Sequence, residues 1–150
     1  MDWRLFLIFL AATGAAATTG ALFSPGAWYQ GLAKPSWTPP GWVFPVAWTA
    51  LYILMALAAA RVAPLPAAGY ALAFWALQIS LNTLWTPVFF GAYRIGMGMV
   101  IIALLWVTVA AMLVVFWRLD RIAAVMIVPY LGWLSIAASL NFWIWRNNPS

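Results

Sequence analysis

Trp28-Tyr29-Gln30-Gly31-Leu32-Ala33-Lys34-Pro35-Ser36-Trp37-Thr38-Pro39-Pro40-Gly41-Trp42-Val43-Phe44-Pro45-Val46-Ala47-Trp48-Thr49-Ala50-Leu51-Tyr52 begins as a proline-rich loop and ends as an apolar helix. It is the one long non-helical connection expected in the chain. Pro35, Pro39 and Pro40 each fix φ and lack a backbone donor, so the loop is stiff. Trp28, Tyr29, Trp37 and Trp42 are amphipathic rings of the kind that settle at a membrane–water boundary. Two readings fit these residues. One is a turn between two spanning helices with interfacial aromatics. The other is a lid over a pocket in a helical bundle.

The rest of the chain decides the solvent. Of 150 residues, 67% are hydrophobic and 6% are charged, where a soluble domain carries roughly 25% charged residues. Such a surface belongs in a bilayer. A spanning helix needs about 20 apolar residues, so the chain is read as one all-α domain over residues 1–150, a bundle of five transmembrane helices. The net charge of +5 comes from seven basic residues set against Asp2 and Asp120. They stand singly at the ends of apolar segments, as headgroup anchors do, and form no cluster for nucleic acid. With no cysteine and no histidine, disulfides, thiolate chemistry, imidazole bases and the usual haem and metal ligands fall away.

The five helices are expected at Trp3 to Phe23, Trp42 to Arg61, Ala67 to Phe90, Ile95 to Trp117 and Ile122 to Trp145, with residues 24–41 as the loop. The first follows Met1-Asp2-Trp3-Arg4 and imitates a secretory leader, but its apolar run is long enough to span. Its small second half, Thr13 to Gly20, suits close helix packing. In the second helix Pro45 lies in the first turns, where a missing donor costs least, and Trp48, Tyr52 and Met55 share a face. In the third, Gln78, Asn82, Trp85 and Phe89 form one stripe. Amides are costly in hydrocarbon, so this stripe faces the bundle or a cavity. Gly69, Ala73 and Ala76 form a small-residue stripe elsewhere on that helix, a candidate packing or dimer face. Pro87 is expected to kink its end. The fourth reads as scaffold and lipid-facing surface, and Arg118-Leu119-Asp120-Arg121 as a tight polar turn. In the fifth, Pro129 should bend the helix, and Trp133, Ala137, Leu140 and Asn141 share a face. Five spans place Arg4, Arg61, Arg118 and Arg121 at one end and Lys34, Arg94 and Arg146 at the other, too even a split to orient the protein.

No acidic or basic residue lies inside a span, which removes the usual basis for ion-coupled transport. No acid–base pair or metal site supports ordinary catalysis, and no cofactor is expected. What the spans carry is aromatic surface and amides. Trp48, Tyr52, Asn82, Trp85 and Trp133 lie on inward faces of the second, third and fifth helices. A pocket built from them would be mostly apolar with a few orienting polar atoms, suited to a flat aromatic or rigid polycyclic guest. Most of the 12 tryptophans must nonetheless be interfacial belt or core packing.

These residues resemble the translocator protein family, also called tryptophan-rich sensory proteins or peripheral-type benzodiazepine receptors (TspO/MBR). The likeness is carried by Trp28 to Pro40, Trp48 to Tyr52, Leu81 to Gly91, Pro129 to Trp133 and Leu140 to Asn147, in that order along the chain. The resemblance implies a five-helix membrane bundle, usually a homodimer in the lipid bilayer. It implies binding of porphyrins such as protoporphyrin IX, of isoquinoline carboxamides and benzodiazepines, and of sterols in some members. By motif, Trp48 and Trp133 match two pocket tryptophans implicated in light-dependent porphyrin breakdown. Tyr29 and Trp37 match lid residues, and Tyr52, Asn82, Trp85 and Phe89 the pocket wall. Ala137 matches a position where substitution alters ligand binding, and Leu140 begins the segment that holds the sterol motif of animal members. That motif needs a tyrosine between an aliphatic and a basic residue. Phe142 and Trp143 stand there instead, so the pattern fails. A multi-pass bacterial membrane receptor or carrier for tetrapyrroles is the expectation, with a porphyrin-degrading enzyme, a scaffolding dimer and a sterol-binding transporter as the alternatives. Which bacterial membrane holds it is left open.

Overall fold

The computed structural model describes residues 1–149. Among them the elements are α1 (Trp3–Leu22), the single-turn helix α2 (Ala27–Gln30), α3 (Val43–Val62), α4 (Gly69–Thr86), α5 (Ile95–Leu119) and α6 (Arg121–Asn147). A π-helical turn, Pro87–Gly91, extends α4. The long helices close a ring. The neighbour order is α1, α3, α6, α5 and α4, with α4 returning to α1.

Four helices, α1, α3, α5 and α6, are long and apolar enough to cross a membrane. Their outward faces are bare aliphatic surface: Ile8 is 64% exposed and Val107 62% exposed. Such a face is stable against acyl chains and not against water. The interior is filled by Met55, Leu105, Met112, Phe116, Ile127, Tyr130 and Leu134, all sealed from solvent. Ala58, Ala59 and Ala60 are buried on α3, where their size lets neighbouring backbones approach. The Trp75 indole on α4 donates to the Met55 carbonyl at 3.1 Å and ties α4 to α3.

Three expectations change. The proline-rich loop is not wholly irregular, because Ala27–Gln30 winds one helical turn inside it. The third span does not run as an α-helix to Phe90. It stops at Thr86 and widens into the π turn, in which the Ala92 N–H reaches the Pro87 carbonyl at 2.9 Å. Pro87 stands first in that turn, and a residue without an N–H breaks the regular hydrogen-bond ladder there. α6 runs from Arg121 to Asn147 with Pro129 inside it. The four-residue polar turn shrinks to Asp120, which is extended (φ −152°) and caps α6 by accepting from the Ile122 and Ala123 N–H groups.

Asp120 also takes the Arg61 guanidinium at 2.9 Å. This pair fastens the end of α3 to the α5–α6 corner. Burial pushes the Asp120 carboxyl upward. The Arg61 hydrogen bond and charge, with the Ala123 and Ile122 N–H groups, outweigh that and hold it below the ordinary carboxylate value.

Candidate functional site

The aromatic residues of the inward faces form two adjoining groups. The deeper one is built where α3, α4 and α6 meet. Trp48 stacks on Tyr52 one turn along α3, with centroids 5.6 Å apart and planes at 30°. It meets Trp133 edge to face at 6.5 Å and Tyr130 at 6.2 Å. Phe44, one turn before Trp48, meets Trp133 at 5.5 Å. The Tyr52 hydroxyl donates to Asn82 Oδ1 at 2.9 Å, Asn82 Nδ2 donates to the Tyr130 hydroxyl at 2.9 Å, and that hydroxyl donates to Gln78 Oε1 at 2.7 Å. This chain of bonds satisfies buried amides that would be costly alone. Among the described residues two donors are left over: Gln78 Nε2 and Trp133 Nε1 are buried and have no acceptor there.

The second group lies under the loop. Trp85 stacks on Phe89 at 4.8 Å, its indole donates to Asn141 Oδ1 at 3.0 Å, and Asn141 Nδ2 donates to the Ile95 carbonyl at 3.2 Å. From the loop, Tyr29 meets Phe89 and Phe90 edge to face, and Trp28 meets Phe89 at 5.8 Å and Tyr93 at 4.7 Å. Tyr93 sits in left-handed backbone (φ 58°), a conformation that costs a bulky residue about 1–2 kcal/mol. Lys34 Nζ lies 4.6 Å from the Tyr29 ring centre. Burial raises the Tyr29 phenol above its ordinary value. The loop is clasped from α6: Asn148 Oδ1 accepts from the Ala33 N–H at 2.8 Å, and its Nδ2 donates to the Ala33 carbonyl at 2.9 Å.

The expected site residues therefore divide. Trp48, Tyr52, Asn82 and Trp133 come together in the deeper group. Tyr29, Trp85, Phe89 and Leu140 belong to the group under the loop. Ala137 is half-buried one turn beyond Trp133 and packs against the main core. Trp37 is 49% exposed in the loop. Two hollows of about 400 and 320 Å3 open on the outer surface, between α5 and α6 and between α4 and α5, and neither is lined by any expected site residue. Sequence reasoning passed over Phe44, Tyr130 and Asn148. The first two had a signal in spacing, because Phe44 precedes Trp48 by one turn and Tyr130 precedes Trp133 by three residues. Asn148 had none, since its partner lies across the fold.

Residues 6–146 match the TspO/MBR family. The chain is 52% identical over 99% of its length to protein CrtK of Rhodobacter capsulatus, covering 96% of that protein. It is 56% identical over 99% of its length to a tryptophan-rich sensory protein of Cereibacter sphaeroides, covering 94% of it. It is 36% identical over 81% of its length to the human translocator protein, covering 75% of it. With a family match along nearly all of its apolar helical bundle, this chain is an all-α membrane protein of the TspO/MBR family.

Proposed function

We propose that this protein is a membrane receptor or carrier for a flat, rigid tetrapyrrole, with metal-free protoporphyrin IX as the representative guest. The observation that carries the reading is the indole N–H of Trp133, a buried donor with no acceptor inside a group of aromatic faces. A buried unpaired donor costs about 1–3 kcal/mol, and a guest carboxylate or carbonyl reaching it would remove that cost. Trp48, Tyr52 and Phe44 supply the apolar faces. In the closed arrangement these rings cover one another, so entry requires the loop to lift and Phe44 or Trp48 to turn. A chain without histidine or cysteine lacks the usual ligands for haem iron, which favours the metal-free guest. In this reading α4, with the π turn beyond it, is the fifth span, and its Gln78 and Asn82 are carried inside by the Tyr130 network. An illuminated porphyrin can draw an electron from a neighbouring indole, leaving an indole radical cation and a porphyrin radical anion that dissolved dioxygen then oxidises, so light- and oxygen-dependent breakdown of the guest belongs to the same proposal, with Trp48 and Trp133 as donors. A homodimer is supported by Gly69, Ala73 and Ala76, which stand exposed along one outward line of α4.

The test is a dark titration of detergent-purified protein with protoporphyrin IX, read by tryptophan quenching, beside Trp48→Phe and Trp133→Phe. Saturable binding near micromolar, about −8 kcal/mol, that weakens at least severalfold in both variants is expected. Binding untouched by either change would place the porphyrin on the surface and end this reading.

A further inference from the structure

At the end of the bundle away from the loop, α4 begins beside the last turn of α5. Between them lies a groove of about 320 Å3 lined by Ala67, Tyr70, Phe74, Val115, Arg118 and Leu119. Ala67, Arg118 and Leu119 stand at helix ends, where a spanning helix meets water. Phe74 and Val115 lie one helical turn further in, roughly 5 Å deeper. The groove thus has a polar mouth and an apolar floor, crossing the depth at which headgroups give way to acyl chains.

Charge at this mouth is unbalanced. Arg4, Arg61, Arg118 and Arg121 share this end with Asp2 and Asp120. Asp2 is engaged in capping α1. Asp120 caps α6 and holds Arg61, the one ion pair among the described residues. Arg118 therefore faces the mouth without a carboxylate, and Arg121 rests over the Trp117 ring at 5.2 Å. Tyr70 stands 78% exposed beside the mouth and carries a hydroxyl donor. A symmetric second copy would bring only Asp2 and Asp120, both already engaged, so it offers Arg118 no complementary charge.

We propose that the groove holds an anionic phospholipid. The lipid phosphate accepts from the forked N–H donors of Arg118 and from the Tyr70 hydroxyl, and the first methylenes of an acyl chain lie along Phe74 and Val115. A guanidinium matches the paired oxygens of a phosphate, and basic clefts between spanning helices take up anionic headgroups. The groove shares no residue with the Trp48–Trp133 group, so it stands or falls independently of porphyrin binding.

The experiment is native mass spectrometry of the purified full chain, equilibrated with equal amounts of phosphatidylglycerol and phosphatidylcholine, with melting temperature and oligomeric state read on the same samples. Preferential retention of phosphatidylglycerol is expected. Arg118→Gln should lower that preference roughly fivefold, equivalent to the about 1 kcal/mol that one basic residue contributes near an anionic surface. Arg118→Lys, which keeps the charge and loses the fork, should fall between the unaltered protein and Arg118→Gln. Val115→Trp retains every charge but fills the floor, and should lower the preference too. Arg4→Gln, which removes a charge at the same end outside the groove, should leave it unchanged. No preference in the unaltered protein would overturn the proposal. So would an equal loss in Arg4→Gln, which would mean diffuse attraction, or an unchanged preference in Val115→Trp. Conversion of a dimer to monomer by Val115→Trp with lipid preference intact would instead make the groove an interface between copies.

Discussion

Trp85 on α4 and Trp133 on α6 are both half-buried and ringed by aromatic neighbours, yet their indole N–H groups are treated differently. Trp85 lies flat on Phe89 and donates to Asn141, which is itself anchored to the Ile95 carbonyl. Trp133 is touched by the edges of Phe44 and Trp48, and its donor meets nothing. The first indole is completed by the fold. The second is left with a need that the fold does not meet. A tryptophan of the first kind holds a structure together, whereas a buried, unpaired donor among aromatic faces is the feature on which the proposed guest site rests.

The sharpest way to break this contrast is to truncate the completed indole. Trp85→Ala removes its ring stack and its bond to Asn141, and should cost about 3–5 kcal/mol, read as a lowered melting temperature in detergent. A melting point unchanged by Trp85→Ala would erase the distinction. Crowding the same spot should cost less. A Cβ at Gly98 would lie 3.0 Å from Phe89 Cδ2, 3.3 Å from Asn141 Oδ1 and 3.4 Å from Trp85 Nε1. Gly98→Ala should then destabilise by about 1–3 kcal/mol, with porphyrin affinity less affected than stability. Trp133→Phe should behave in the opposite way. It removes a donor that has no partner, so stability should change by under about 1.5 kcal/mol while porphyrin binding falls severalfold. The smallest effect belongs to a site remote from both rings. Because the Asp120 carboxyl titrates below its ordinary value, its contribution is complete above the unfolded value near pH 4 and is lost as pH falls through the folded one. The Arg61 partner is 32% exposed, so Asp120→Asn should cost under about 1 kcal/mol near neutral pH, with the difference from the unaltered protein shrinking in acid melts.

The helices were legible from composition, because a chain this poor in charge has one stable solvent and one economical way to pair its backbone within it. The α4 stripe was legible for the same reason: Gln78 and Asn82 had to face inward, and they lie buried there. The resemblance placed Trp48, Tyr52 and Trp133 in one site, and the fold does bring them into contact. Periodicity could not show which rings each indole would meet. That depends on the rotation and height of α3, α4 and α6 relative to one another, which no single helix encodes. Nor did it show that Pro87 opens a π turn, since proline only forbids the regular bond and the neighbours select what replaces it.

What the sequence by itself determined is that this chain lives in a membrane as apolar helices with inward amides and aromatics, because hydropathy and helical spacing are local properties. The tertiary structure alone decided that Tyr130 joins Asn82 to Gln78, that Asn148 clasps the loop at Ala33, and that Trp85 is satisfied while Trp133 is not. Each of these depends on atoms from different helices arriving within about 3 Å of one another, and such a distance is fixed only when the whole ring of helices closes.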